Sequence, residues 1–287
     1  MIQHLSRKEL DVEKYNACIA NSVQSRIYAY SWYLDIVADN WDVLVLNDYE
    51  AVMPLPWRSK FCIKYIYPPC WTQQLGIFSD EVISENLTNR FINLIPRKFK
   101  KVTIQFNSGN RLSKFSKKKI NYVLNLKENY SSIKSKFNKN RKRELIKVKK
   151  GCWEIDKNLS VKDFLKFYKN EKLPYIISKD GMEKLSWLLN LNSDKICIWG
   201  IKENQEILSA MVWLKDDFRL TYLLPVANLK AKKKGLPTFL VSELIADYSN
   251  SNYVLDFEGS MISGVASFYK NFGATKEPYF LLKKRLV

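Results

Sequence analysis

Lys232-Lys233-Lys234-Gly235-Leu236-Pro237 opens an apolar run that continues to Tyr248, and Tyr253-Val254-Leu255-Asp256-Phe257-Glu258-Gly259-Ser260 follows it. The stretch reads as a basic glycine turn, a helix over 236–248, and a buried strand over 253–257 that ends in two carboxylates. Proline suits the first turn of a helix, where its missing N–H has no partner to lose. A helix N-terminus also carries unpaired N–H groups and partial positive charge, a ready site for phosphate. A phosphate grip beside acid groups points to a transferase that holds a phosphate-bearing donor.

Outward from this stretch the elements repeat in kind. Upstream lie strands over 196–201, 207–214 and 218–225, with Asn204-Gln205 and Asp216-Asp217 as turns. A long turn over 228–235 leads into the helix. Downstream come a short helix over 264–272 and a strand over 279–284. Helices over 161–170 and 179–191 precede these strands, and before them runs a basic helix over 131–150, stopped by Gly151. The first half has a similar order: a strand over 2–5, helices over 8–20 and 31–39, strands over 41–46, 51–57 and 63–67, a helix over 80–95 and a strand over 102–106. Ser79 is placed to cap that helix, with Asp80 and Glu81 in its first turn. The pattern predicts an α+β protein of two similar domains, 1–120 and 121–287, each a mixed, mostly antiparallel sheet flanked by helices.

Composition narrows the chemistry. The 287 residues suffice for one large or two ordinary domains, and no apolar run is long enough to span a bilayer. No signal-peptide pattern opens the chain, so a cytoplasmic location is expected. Cys18, Cys62, Cys70, Cys152 and Cys197 are scattered with no C-x-x-C pair, and His4 is the sole histidine. Zinc sites, disulfide frameworks and histidine-dependent triads are therefore disfavoured, and no metal is expected. The formal charge of +18 favours nucleic acid, anionic surfaces or phosphorylated small molecules, although a lysine-rich genomic habit explains much of it.

The second half resembles the GNAT acyltransferases in its order of strands, basic turn, helix, strand and helix. Residues 228–235 resemble that family's pyrophosphate loop, reduced to Lys232-x-x-Gly235 with Pro237 at the second small position. Phe268-Tyr269-Lys270-Asn271-Phe272-Gly273 resembles both the GNAT L-Y-x-x-x-G helix end and the F-K-x-G-F-G run of FemABX-type peptidyltransferases. Leu255-Asp256-Phe257-Glu258-Gly259 resembles the D-x-x-G strand end, and Asn140-Arg141-Lys142-Arg143 the basic helix. FemABX-like proteins are built from two GNAT-type domains, as these two halves suggest. No long heptad insertion is visible, so the helical arm of some members is missing.

The resemblance implies an acyltransferase that moves an acyl or aminoacyl group from acyl-CoA or aminoacyl-tRNA to an amine on a small-molecule or peptide acceptor, such as a cell-envelope precursor. Leu223, Leu224, Lys232, Lys233, Lys234, Gly235 and Leu236 would hold the donor; the alternative is an exposed basic loop. Glu258, or Asp256, would take the amine's proton; the alternative is a helix cap or a lysine partner. Tyr269 would protonate the leaving group, or simply pack. Tyr67, Trp71, Gln73 and Gln74 would line an acceptor groove, or belong to an aromatic sheet core and a turn; Arg141, on the apolar stripe of the basic helix, would point into the cleft, where the alternative for that helix is a lysine-rich solvated face. Because Asp80 and Glu81 would repel phosphate, one donor site per chain is expected, in the second half. A different class remains open: a non-catalytic scaffold that recognises nucleic acid or an anionic surface.

Overall fold

The computed structural model describes residues 1–112, 116–171, 177–191, 193–258 and 261–286. Gly259 and Ser260, which end the carboxylate motif, lie outside the described residues. Two compact units emerge: Met1–Ile120 with Glu277–Val287, and Asn121–Lys276.

The first unit opens with β1 (Ile2–Ser6), α1 (Val12–Asn21) and α2 (Ser31–Val37). An antiparallel run follows, of β2 (Asn40–Leu46), β3 (Ala51–Lys60) and β4 (Ile63–Ile66). Then come the two-residue β5 (Phe78–Ser79), α3 (Glu85–Asn93) and β6 (Phe99–Phe106). β4 and β6 pair in parallel, the other neighbours antiparallel. Alternation along β6 turns Val102, Ile104 and Phe106 into a core with Leu44, Met53, Leu55, Ile66, Phe91 and Ile92, and a register shift against β4 after Phe99 brings Phe99 to the same side.

The second unit begins with the end of β7 (Ser116–Asn125) and continues with α4 (Tyr130–Ser135), α5 (Lys139–Val148) and β8 (Ile155–Asp156). Next are α6 (Val161–Asn170), α7 (Lys179–Leu189), β9 (Ile196–Glu203), β10 (Glu206–Lys215) and β11 (Arg219–Ala227). It ends with α8 (Leu229–Lys234), α9 (Leu236–Tyr248), β12 (Val254–Asp256) and α10 (Ser263–Lys270). Its strands lie in the order β7-β12-β11-β10-β9-β8, with β11 and β12 the parallel pair. A single parallel pair late in an otherwise antiparallel sheet therefore recurs in both units, which makes them two units of one α+β type. The apolar α9 buries Leu236, Leu240, Val241, Leu244 and Ile245 and packs on β9 and β10.

Four expectations need correction. The last strand, β13 (Thr275–Arg285), pairs with β6 and sends Leu282 into the first unit's core, so residues 277–287 do not go with the second half. Strand pairing is long-range and leaves no local signal for its partner. The basic helix over 131–150 is two helices, because Asn138 Oδ1 accepts the N–H of Arg141 and starts α5 anew. The helix expected over 80–95 begins at Glu85, where Ser84 Oγ caps the N–H of Leu87, so Asp80 and Glu81 precede it. The turn over 228–235 is the helix α8, capped by Asn228 Oδ1 on the N–H of Ala231.

Candidate active site

The end of β12 sets the site. β12 pairs with β11 only as far as Asp256 opposite Thr221, while β11 runs on to Ala227. Beyond that point the two strands part. A shift of register against β10 lies here too: Leu214 faces Thr221, yet Val212 faces Leu224, so Tyr222 and Leu223 together oppose Trp213 as a bulge. The resulting cavity has a volume of about 450 Å³. Tyr222, Leu223, Pro225 and Val226 of β11, Ala210 of β10, Phe257 and Glu258 after β12, and Val265, Phe268 and Tyr269 of α10 line it. Its walls are mainly apolar, with Glu258 and Lys232 as charged groups.

The two carboxylates part company. Asp256 is 1% exposed and receives Arg219 Nη1 at 2.6 Å, Asn121 Nδ2 at 2.8 Å and the backbone N–H of Glu258 at 2.8 Å. It is not among the cavity's lining residues. Glu258 lies past the end of the strand, at φ 55, where the pleat no longer governs direction, and it lines the cavity. The two carboxylates expected beside the donor are therefore separated: Glu258 borders the space, and Asp256 anchors the bend that puts it there.

An aromatic cluster forms one wall. Tyr269 stacks on Phe257 at 4.8 Å, and Tyr222 meets both rings edge-on at 6.1 and 6.0 Å. Burial pushes the Tyr222 phenol well above its ordinary value, so it stays protonated. The side chain of Tyr222 is absent from the sequence reading, which names only Leu223 and Leu224 there. Its signal is the alternation along 219–227 next to Pro225.

The basic bend is only partly as expected. Lys232 and Pro237 border the cavity. Lys234 turns away to Glu203 at 2.9 Å and lies over the Trp153 ring, and the exposed Lys233 gives its carbonyl to Lys147. The N–H of Lys232 goes to Asn228 O and that of Gly235 to Lys232 O, so both close α8. Leu236 is fully buried. Gly235 has φ 83, and a Cβ there would stand 2.8 Å from Glu144 Cβ, so α5 seals that side. Thr238 Oγ1 donates to Glu144 and accepts from Arg141 Nη1, while Arg141 Nη2 reaches Glu144 at 3.0 Å. The start of α9 is thus met on this side by a protein carboxylate and its arginine. Desolvation pulls the Arg141 guanidinium below its ordinary value, and it lies 4.5 Å over the Phe268 ring. Leu223 lines the cavity, whereas Leu224 is buried outside its lining.

Of the residues expected at an acceptor groove, Tyr67 and Gln73 share a crevice of about 10 Å³ in the first unit, room for about one water. Tyr67 donates to Asp39 beneath the Arg58 guanidinium. Gln74 is wholly buried and donates to Gln73 at 2.7 Å, and the carbonyl of Trp71 accepts from Tyr33. Arg141 belongs to the other unit.

No protein-family model matches the sequence, and comparison with curated proteins finds no match. Solved structures do match. FemX superposes with TM-score 0.71 at 10% identity, over 97% of this chain and 96% of its own. L-PGS from Bacillus licheniformis gives 0.55 at 12% identity, over 96% and 92%. A conserved protein of unknown function from Bacteroides thetaiotaomicron VPI-5482 gives 0.57 at 9% identity, over 99% and 100%. The fold of this chain is that of FemX, with two α+β units in tandem.

Proposed function

We propose that this chain is an acyl- or aminoacyltransferase that acts on an amine, with the second unit as its catalytic part. The observation that carries the reading is the 450 Å³ cavity at the parting of β11 and β12, lined by Glu258, Tyr222 and Tyr269. In this reading the acyl carbonyl lies along β11, where the parted edge at Leu223 supplies backbone N–H to the developing oxyanion. Glu258 takes a proton from the attacking amine. The C–N bond forms, the tetrahedral intermediate collapses, and the leaving oxygen or sulfur gains a proton from Tyr269.

Of the two donor classes, an aminoacyl ester carried on RNA is the better supported. A CoA diphosphate would seek free N–H groups in the bend, and those of Lys232 and Gly235 are already used within α8. Lys232 alone of the three consecutive lysines borders the cavity. The acceptor we assign is an amine on a sugar or peptide envelope precursor.

Gly264 offers a test, because a Cβ there meets nothing within 4 Å. Gly264→Trp fills the cavity without crowding the backbone. Transfer from aminoacyl-tRNA and from acetyl-CoA to a panel of amines is measured for the native chain, Gly264→Trp and Glu258→Gln. We expect transfer from aminoacyl-tRNA, a loss of 100-fold or more for Glu258→Gln (roughly the lower end of general-base contributions), and no turnover with Gly264→Trp at unchanged melting temperature. Full activity in both variants ends the assignment. Transfer from acetyl-CoA alone overturns the donor choice.

A further inference from the structure

The hairpin joining β3 and β4 presents a side-chain set that folding does not explain. Lys60 pairs with Ile63, which leaves Phe61 and Cys62 as a two-residue turn. Both are left-handed, at φ 50 and 63. Such a turn favours Asn-Gly, since side chains with a bulky Cβ substituent are strained there. The β9–β10 hairpin follows that preference better, with Asn204 and Gln205 at φ 49 and 69. At the β3–β4 turn the position belongs instead to a phenylalanine that is 87% exposed, with Ile63 beside it at 52%.

The charges around the tip have one sign. Residues 51–79 contain no Asp or Glu, and Arg58, Lys60 and Lys64 flank the turn. Arg58 is held by Asp39, but no ion pair among the described residues engages Lys60 or Lys64. Lys60 lies 5.5 Å over the Phe61 ring and Lys64 4.7 Å over that of Trp57, so both ammonium groups sit beside apolar surface. In the parallel β4–β6 pair Lys64 faces Phe99, which brings the exposed Arg97 to the same end of the sheet.

We propose that this hairpin is a docking finger for an anionic lipid bilayer. Phe61 and Ile63 enter the boundary between headgroups and acyl chains, while Lys60, Lys64 and Arg97 meet lipid phosphates. A bilayer explains both halves of the motif at once. An apolar tip alone would suit a protein groove, and lysines alone would suit nucleic acid; a protruding aromatic ringed by cations fits an interface that is apolar inside and anionic outside.

Cosedimentation with phosphatidylcholine vesicles, with and without phosphatidylglycerol, tests this on the full chain. The native protein should bind the anionic vesicles and release at high salt. Replacing Phe61→Asn together with Cys62→Gly installs the favoured turn, so the fold is kept or strengthened, and binding should fall roughly 10-fold or more. Lys60→Gln with Lys64→Gln should lower anionic-vesicle binding roughly 30-fold, at about one cation's surface attraction each. A polarity-sensitive probe on Cys62, in a Cys152→Ser background, should shift to the blue on binding. The proposal is overturned if the native chain ignores anionic vesicles, if the Phe61→Asn, Cys62→Gly variant binds as well as native, or if the lysine variant loses bulk tRNA and keeps vesicles, which would make this a nucleic-acid surface.

Discussion

Removing the Asp256 carboxylate should unfold the site before it stops any chemistry. The Asp256 side chain is 1% exposed and that of Arg219 12%, with 2.6 Å between Oδ2 and Nη1. Asp256→Ala leaves the guanidinium buried without this carboxylate, and it removes an acceptor from Asn121 Nδ2 and from the Glu258 N–H at the same stroke. Breaking a buried pair from one side costs about 3–5 kcal/mol. For a chain of 287 residues that lowers the melting temperature by roughly 5–8 °C. Pairing Asp256→Leu with Arg219→Met removes both charges, and most of the loss should return, because two well-packed apolar residues need no partner. Thermal and urea unfolding of the two single variants and the double variant measure the coupling. If Asp256→Ala loses less than about 1 kcal/mol yet abolishes transfer, the anchoring role is wrong and Asp256 belongs with the chemistry.

Two further predictions concern local geometry and pH. Gly235→Ala should cost roughly 1–3 kcal/mol, from its φ of 83 and the approach of Glu144, whereas Gly264→Ala, with open space around it, should be neutral or slightly stabilising; denaturant melts separate the two. Burial raises the Asp42 carboxyl, but hydrogen bonds from Lys98, Trp57 and His4 outweigh it and hold the carboxyl below its ordinary value of 3.8. Its stabilisation is therefore complete above that value and lost as pH falls through the lowered one. Asp42→Asn should cost roughly 2 kcal/mol at neutral pH, and the gap to native should close in acid below the ordinary carboxylate range. A gap that widens in acid would reverse the sign of the argument.

The helix over 236–248 was legible to the residue, since Gly235, Pro237 and an unbroken apolar run are local signals. Element order, the strand after that helix and the two-unit α+β plan were legible for the same reason: spacing and turn chemistry act over a few residues. Asn228 and Asn138 were legible caps in principle, because each precedes a helix whose first turn needs an acceptor. The run of lysines at 232–234 hid α8, as charge drew the reading toward a loop.

The directions of side chains could not be read in this way. Three consecutive lysines look alike in sequence; Glu203, 31 residues before Lys234, takes that one, and the cavity meets Lys232. Asp256 and Glu258 look like a matched pair until Arg219 and Asn121 claim the first and a left-handed backbone turns the second. The return of β13 to β6 depends on a partner far away in the chain. Local conformation is set by neighbours within a turn or two, and this the amino-acid order carries openly. Burial, charge pairing and strand partnership arise from contacts between distant residues, so the three-dimensional arrangement alone decided which of the expected groups face the cavity.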